Sequence, residues 1–355
     1  MPMSTKTSGA TGNKKSLGRA TLLAGALGAA VLGTELARAE ESGGMFIRVD
    51  NDILAGTDRG YTSGFQVGFA SATVARFDDP LLPASLRSID RKLAWLQPRG
   101  FAENNVTFAF GQAMFTPSDW SRTEPDPLDR PYAGILLASI TFNGRDSRSM
   151  RSTTLDIGIV GPAALAEQTQ NFVHRLLGSN QFRGWDHQLS NEPAFRVLHQ
   201  RFERWDLSST RGVADLTVHY GGSIGNTLTF ANAGAELRIG NNLPDNFGTA
   251  PTLPYGENMG PTHWAGSPRR PSMHGYLAVD ARAVLHNITL DGNTWRDSAS
   301  VDREPFVGEL ALGVALYWRG WQTTLARNYR TKEYATETRD AKFGSLTFRR
   351  GIAWP

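Results

Sequence analysis

Between Gly158 and Pro193 the chain reads GIVGPAALAEQTQNFVHRLLGSNQFRGWDHQLSNEP, and no other stretch gathers so many chemically competent side chains. His174 follows Gln170 by one helical turn and Glu167 by two. An imidazole titrates near neutral pH and needs a partner to fix its tautomer, so this trio can act as an oriented general base. The same spacing also describes the wet face of any amphipathic helix. A second group is Asp50-Asn51-Asp52, whose oxygens suit a hard cation such as Ca2+. On a strand Asp50 and Asp52 share one side and Asn51 takes the other, unless a bulge re-aims one of them. A polar strand end at a membrane surface carries the same residue types. Thr62, in the turn-forming run Thr57 to Gly64, sets a hydroxyl beside the expected hairpin partner of Asn51 or Asp52. Glu192, a few residues after a loop-anchoring Trp185, adds a carboxylate.

These groups need elements to hold them. Pro162 follows a strand-like Val/Ile/Gly run, and proline at a first helical position loses only an N–H that had no partner. Gly178 closes the segment as a C-terminal cap, which predicts one helix from Pro162 to Gly178. At about 100° per residue, Leu165, Phe172 and Leu176 fall on one side with Val173 flanking, and Glu167, Gln170 and His174 fall opposite. Asp129-Arg130, ahead of Pro131, reads as an ion-paired lock on a loop.

Elsewhere the recurring unit is a short alternating segment. Twelve are found: Met45–Asp52, Tyr61–Ser71, Asn104–Phe115, Tyr132–Asn143, Arg151–Val160, Ala194–Asp206, Gly212–Gly222, Thr227–Gly240, Met273–His286, Glu304–Trp318, Trp321–Thr331 and Lys342–Arg350. Large apolar residues alternate with small or polar ones in Val106 to Gly111 and again in Phe306 to Val314. A soluble β-sandwich also alternates, but strands of about ten residues exceed its usual five or six. Long alternating strands in even number, with aromatic residues near their ends, fit a transmembrane antiparallel β-barrel of about 12 strands. Trp318 and Trp321 bracket a tight turn, and Tyr61, Phe115, Tyr132 and Trp205 sit at other segment ends, as an interfacial girdle requires. On this reading the polar connections Arg76–Glu103 and Asn241–Ser272 are extracellular loops, and Arg319-Gly320 is a periplasmic turn. A polar lumen also accounts for a mean hydropathy of −0.33 in a membrane protein.

Residues 1–39 carry Lys14, Lys15 and Arg19, an apolar run Ala20 to Gly33 and then Ala37-Arg38-Ala39, the layout of a secretory signal peptide cleaved before Glu40. Residues 40–355 then form one barrel domain. Losing the five cations and one anion of the leader takes the net charge from +3 to −1, which leaves no basic stripe for nucleic acid. With no cysteine, a disulfide framework and a thiolate zinc site are both excluded. There is no G-x-S-x-G, H-E-x-x-H or phosphate-loop motif, and His199, His219, His263, His274 and His286 are scattered without a pattern.

The ordered set Asn51-Asp52, Asp58 to Gly64, Gly111-Gln112, Phe115-Thr116-Pro117, Asp129 to Gly134, Gly158 to Pro162, Gln170-Asn171, His174-Arg175, Gly184 to Asp186 and Gln188-Leu189 resembles the outer-membrane lipid A 3′-O-deacylase family. The resemblance spans Asn51 to about Pro193. It implies a twelve-stranded barrel in the cell outer membrane, with a Ca2+-dependent site near the outer leaflet. The substrate is then lipid A of lipopolysaccharide, cleaved at the ester of its 3′ acyloxyacyl group, with no protein partner expected. By motif position Asn51, Asp52, Thr62 and His174 are its functional residues, with Gln170 beside the histidine. Some members carry an acid shortly after the histidine where this chain has Ser179-Asn180, so either Glu192 or a backbone carbonyl takes its place beside Asp52 at the metal, or metal affinity is reduced. Arg122 corresponds to a basic residue of the loop after Thr116-Pro117. With no activated serine in view, water deprotonated by His174 is the nucleophile, and the cation at Asp52 with the Asn51 amide or Thr62 hydroxyl steadies the oxyanion. A porin-like or structural barrel and an outer-membrane phospholipase are the rival readings.

Overall fold

The computed structural model describes residues 42–51, 60–251, 259–264 and 271–353. The expected leader, residues 1–39, and Asp52 lie outside the described residues. Twelve strands close into one antiparallel barrel, every pairing between chain neighbours except the last, where β14 (Ala341–Ala353) returns to β1 (Ser42–Asn51). The intervening wall runs β2 (Gly60–Ala70), β3 (Glu103–Thr116), β4 (Ala133–Arg145), β5 (Ser149–Val160), β6 (Glu192–Asp206), β7 (Ala214–Gly225) and β8 (Leu228–Asn241). It continues as β11 (Ser272–Asn287), β12 (Phe306–Trp318) and β13 (Trp321–Arg330). All twelve alternating segments are strands. Closure removes every sheet edge, which rules out a sandwich.

Four features differ from the expectation. A two-residue pair, β9 (Pro244–Asp245) with β10 (His263–Trp264), stands apart from the wall. The expected single helix near the site is joined by α1 (Ala84–Lys92) and α3 (Ile288–Asp291), α1 lying in a stretch whose polar composition had the look of a loop. The connections 71–102 and 242–271 follow β2 and β8, so alternation of direction puts them at the same barrel end as the Arg319-Gly320 turn, not opposite it. Strand termini at Ser42 and Ala353 share that end. Finally, Phe115 and Tyr132 are buried and take no part in an aromatic girdle, whereas Trp205 and Trp318 are exposed.

The period of two separates the wall's faces. Phe110, Ile157, Ile224, Leu277, Leu312 and Leu325 point outward and are exposed, forming the apolar belt. Inward positions hold buried ion pairs, among them Arg48–Asp50 at 2.9 Å, Arg238–Asp215 at 2.6 Å and Arg330–Glu309 at 3.0 Å. At the helix-bearing end the lumen closes on an apolar cluster of Phe115, Ile135, Val160, Leu189, Ile288 and Phe343. At the other end residues 243–251 fold inward. There Phe247 packs on Met150 and Phe202 between the Arg145 and Arg204 guanidiniums, and Asp245 binds both arginines at 2.9 and 2.6 Å. Two of the spaces between these inward side chains measure about 30 Å³ each, room for a water molecule, and a larger one of about 210 Å³ opens at the mouth beside Asn105, Gln322 and Arg349.

Candidate functional site

The β5–β6 connection begins as a single 3-10 turn, Pro162–Ala164, and only after Leu165 becomes α2 (Ala166–Leu177). The expected continuous helix is therefore broken. Leu165 sits at φ 58°, a left-handed conformation that costs a non-glycine residue roughly 1–2 kcal/mol. Ties to the surroundings hold it there: the Gln112 side-chain amide donates to the Ala164 carbonyl at 2.5 Å, and the Ala163 N–H donates to Asn191 Oδ1 at 2.8 Å. Gly178 ends α2 at φ 71°, as the sequence predicts.

The two faces of α2 are grouped as expected but turned the other way from a helix in water. Phe172 is 57% exposed, and Leu165 and Leu176 are exposed too, while Gln170 and His174 are each 2% exposed. The helix packs on β3 and β4. Its seat is Gly134, where a Cβ would stand 2.5 Å from the Ala166 Cβ. Gly134 pairs with Met114, Met114 with Ser63, and Ser63 with Asn51, so one row crosses β1 to β4. Paired residues share a face, and Arg48, Asp50 and Gln66 fill the lumen side, so this row faces outward. Helix α2 thus lies against the outside of the wall. Its apolar stripe meets the membrane's surroundings and its polar stripe, Ala166-Gln170-His174, meets the wall.

His174 Nδ1 donates to the Asn180 carbonyl, which the Gly178 cap brings back beneath the ring. A carbonyl only accepts, so Nδ1 carries the proton and Nε2 is left as the basic nitrogen. Phe182 stands edge-on to the imidazole at 5.8 Å. Trp185 Nε1 donates to Gln170 Oε1 at 2.7 Å, and Gln170 Nε2 is buried without a hydrogen-bond partner among the described residues. Behind them Met114, Tyr132, Phe182 and Trp185 form a buried cluster with Ala166. A Cβ at Gly184 would lie 2.6 Å from the Tyr132 ring, so only glycine admits this packing. The sequence pointed to Gln112 only as a motif member and to Trp185 as a loop anchor; their bonds to Ala164 and Gln170 had no local signal.

Asn51 is buried at the end of β1 on the same outward face. Thr62 is the extra residue of a bulge between Tyr61 and Ser63, opposite Met114 and Phe115, so the hairpin partner of Asn51 is Ser63. Glu192 is elsewhere. It pairs with Val160 on the lumen side and accepts from Asn293 Nδ2 at 3.0 Å and the Thr294 N–H at 3.0 Å, tying β6 to the β11–β12 connection. Asp129 and Arg130 do lock a loop, but the Arg130 guanidinium pairs with Glu333 at 3.1 Å, while Asp129 accepts from Tyr334 Oη at 2.6 Å and from the Arg130 backbone N–H at 2.8 Å. Arg122 is exposed and pairs with Asp126 at 3.1 Å. No three His, Cys, Asp or Glu side chains come together for a metal among the described residues. The Asn180 carbonyl is taken by His174, so the described groups do not by themselves make a calcium cage.

No curated protein sequence matches this chain. Among solved structures, LpxR from Salmonella typhimurium superposes with a TM-score of 0.68 at 20% identity, over 87% of this chain and 100% of that one. The β domain of the Bordetella autotransporter Brka follows at 11% identity and a TM-score of 0.38, over 88% and 98% of the two chains. The model of the family described as outer membrane protein LpxR matches residues 21–352, and with twelve strands around an apolar belt the chain belongs to that family of outer-membrane proteins.

Proposed function

We propose that this outer-membrane barrel hydrolyses the 3′ acyloxyacyl ester of lipid A, with His174 as general base. The observation that carries the reading is the sealed polar face of α2, where the His174 proton is pinned on Nδ1 and Nε2 is left to accept one. Nε2 takes a proton from water, the hydroxide attacks the ester carbonyl, and the imidazolium passes that proton to the departing sugar oxygen. Developing negative charge on the carbonyl oxygen calls for donors already in place. The Gln170 amide, oriented through its bond from Trp185, is one, and the Asn51 amide on the same face of the wall is the second. Thr62 belongs to the same rim through its bulge. Calcium is the cation the family resemblance assigns; Asp52 would hold it, and it would polarise the carbonyl as a Lewis acid.

Placement of the site outside the wall suits a lipid substrate, because acyl chains remain beside Phe172 and Leu176 while only the ester reaches the polar stripe. The filled lumen weighs against a porin. Mass spectrometry of lipid A from cells with and without the protein tests the reading. Loss of one 3′ acyloxyacyl mass is expected with wild type and not with His174→Ala; released phospholipid acyl chains with unchanged lipid A would assign a phospholipase instead.

A further inference from the structure

The β2–β3 connection does not extend away from the barrel but folds back on its outer wall. Ser71 N–H donates to the Val106 carbonyl at 2.8 Å and Val74 bridges to Asn104. Phe77, Leu82, Leu86 and Leu96 then bury against the outward side chains Val106 and Phe142. This lays α1 and the following turn along the wall at the end opposite the candidate site. Their other face is turned away from the wall: Trp95 is 67% exposed, and Ile89 is exposed too.

The charge around these apolar side chains is one-sided. Arg91, Lys92 and Arg99 are exposed and have no acidic partner among the described residues. The acids of the segment are turned elsewhere: Asp90 is buried, Asp78 pairs with Arg76 at 2.9 Å, and Asp79 accepts from the Leu81 N–H. On the adjoining wall Arg151 and Arg201 stand directly opposite each other on β5 and β6, both outward and exposed, and Arg151 lies 5.5 Å over the ring of Phe101. Like charges in register across a strand pair repel. An anion between them removes the penalty. Exposed Ile89 on α1 and Trp95 in the turn after it, flanked by Arg91, Lys92 and Arg99, is the composition of a segment that lies in the headgroup plane.

We infer that the 71–102 connection is an in-plane anchor, and that Arg91, Lys92, Arg151 and Arg201 bind phosphate groups of anionic glycerophospholipids in the leaflet at that end. The occupant follows from charge: Arg91, Lys92, Arg151 and Arg201 outnumber Glu203, the exposed outward acid two residues from Arg201, so the excess positive charge calls for phosphate, and Trp95 with Ile89 fits the acyl boundary. The anchor is independent of the reaction at the opposite end.

The absence of cysteine makes the test direct. Ile89→Cys in the full chain gives a single site for an environment-sensitive fluorophore, read in vesicles of phosphatidylethanolamine with or without phosphatidylglycerol. Quenching by headgroup-level lipid quenchers, and little by aqueous iodide, is expected. Native mass spectrometry should show phosphatidylglycerol retained over phosphatidylethanolamine, with retention falling about fivefold for each cation removed as Arg91→Gln, Arg151→Gln or Arg201→Gln. Heat-modifiable migration verifies that each variant is a folded barrel. A label quenched chiefly from water overturns the anchor. Undiminished phosphatidylglycerol retention in the charge variants, or preferential retention of lipopolysaccharide, overturns the headgroup assignment.

Discussion

The role proposed for His174 turns on one bond, from its Nδ1 to the Asn180 carbonyl, and replacing the imidazole leaves every strand pairing of the wall in place. His174→Ala should lower turnover by about 10²-fold or more while the barrel still shows its heat-modifiable gel shift, and His174→Gln should do no better, since an amide cannot take a proton. Exhaustive chelation should abolish turnover and calcium should restore it; full activity without the metal would remove Asp52 from the chemistry. Far from the site, the carboxyl of Asp90 responds to pH. Burial without a hydrogen-bonding partner pushes the Asp90 carboxyl in α1 up to about 7. Folding therefore takes up a proton between about pH 4 and 7, so the docking of α1 on the wall should weaken as pH rises through that window. Asp90→Asn should flatten the dependence, measured by hydrogen exchange of Leu86 to Leu96. None of the Asp90 effect was legible in the sequence, because a carboxylate in a polar stretch gives no sign that it points at a wall.

The decisive element is α2, and its seat admits a simple perturbation. With the Gly134 Cβ position 2.5 Å from Ala166, Gly134→Val must push the helix off the wall. Turnover should fall about 10²-fold from misplacement alone, with folding intact; an unchanged rate would mean that α2 does not have to touch β4. Sequence periodicity identified the two stripes of this helix and its Gly178 end correctly. What periodicity could not supply was the medium on each side. In water the polar stripe faces out; against an apolar surround the same stripe turns inward, and Gln170 with His174 becomes the buried face. The break at Leu165 was also hidden, since it depends on Gln112 and Asn191, residues remote in sequence.

Across the whole molecule the number of strands was readable because alternation is strict wherever one face is apolar. The sidedness of the connections needed only the strand count, since each strand reverses direction, but loop length and polarity pointed to the wrong end for 71–102 and 242–271. The interior depends on contacts between residues remote in sequence. With Phe247 clamped between Arg145 and Arg204 at one end and Phe115, Ile288 and Phe343 closing the other, the reconstituted protein should pass no steady ion current across a planar bilayer. Stable channels would mean that residues 243–251 leave the lumen. The wall between lumen and lipid is one residue thick, and Asp50 and Asn51 are consecutive in it, the first paired to Arg48 inside and the second on the outward face that carries the candidate site. In genetic terms, loss of a single codon anywhere between Met45 and Val49 would exchange their compartments, sending a carboxylate into the membrane and an amide into the lumen. Loss of two adjacent codons would preserve the alternation. Length variation within these strands should accordingly be inherited in pairs, while the connections at either end remain open to changes of any size.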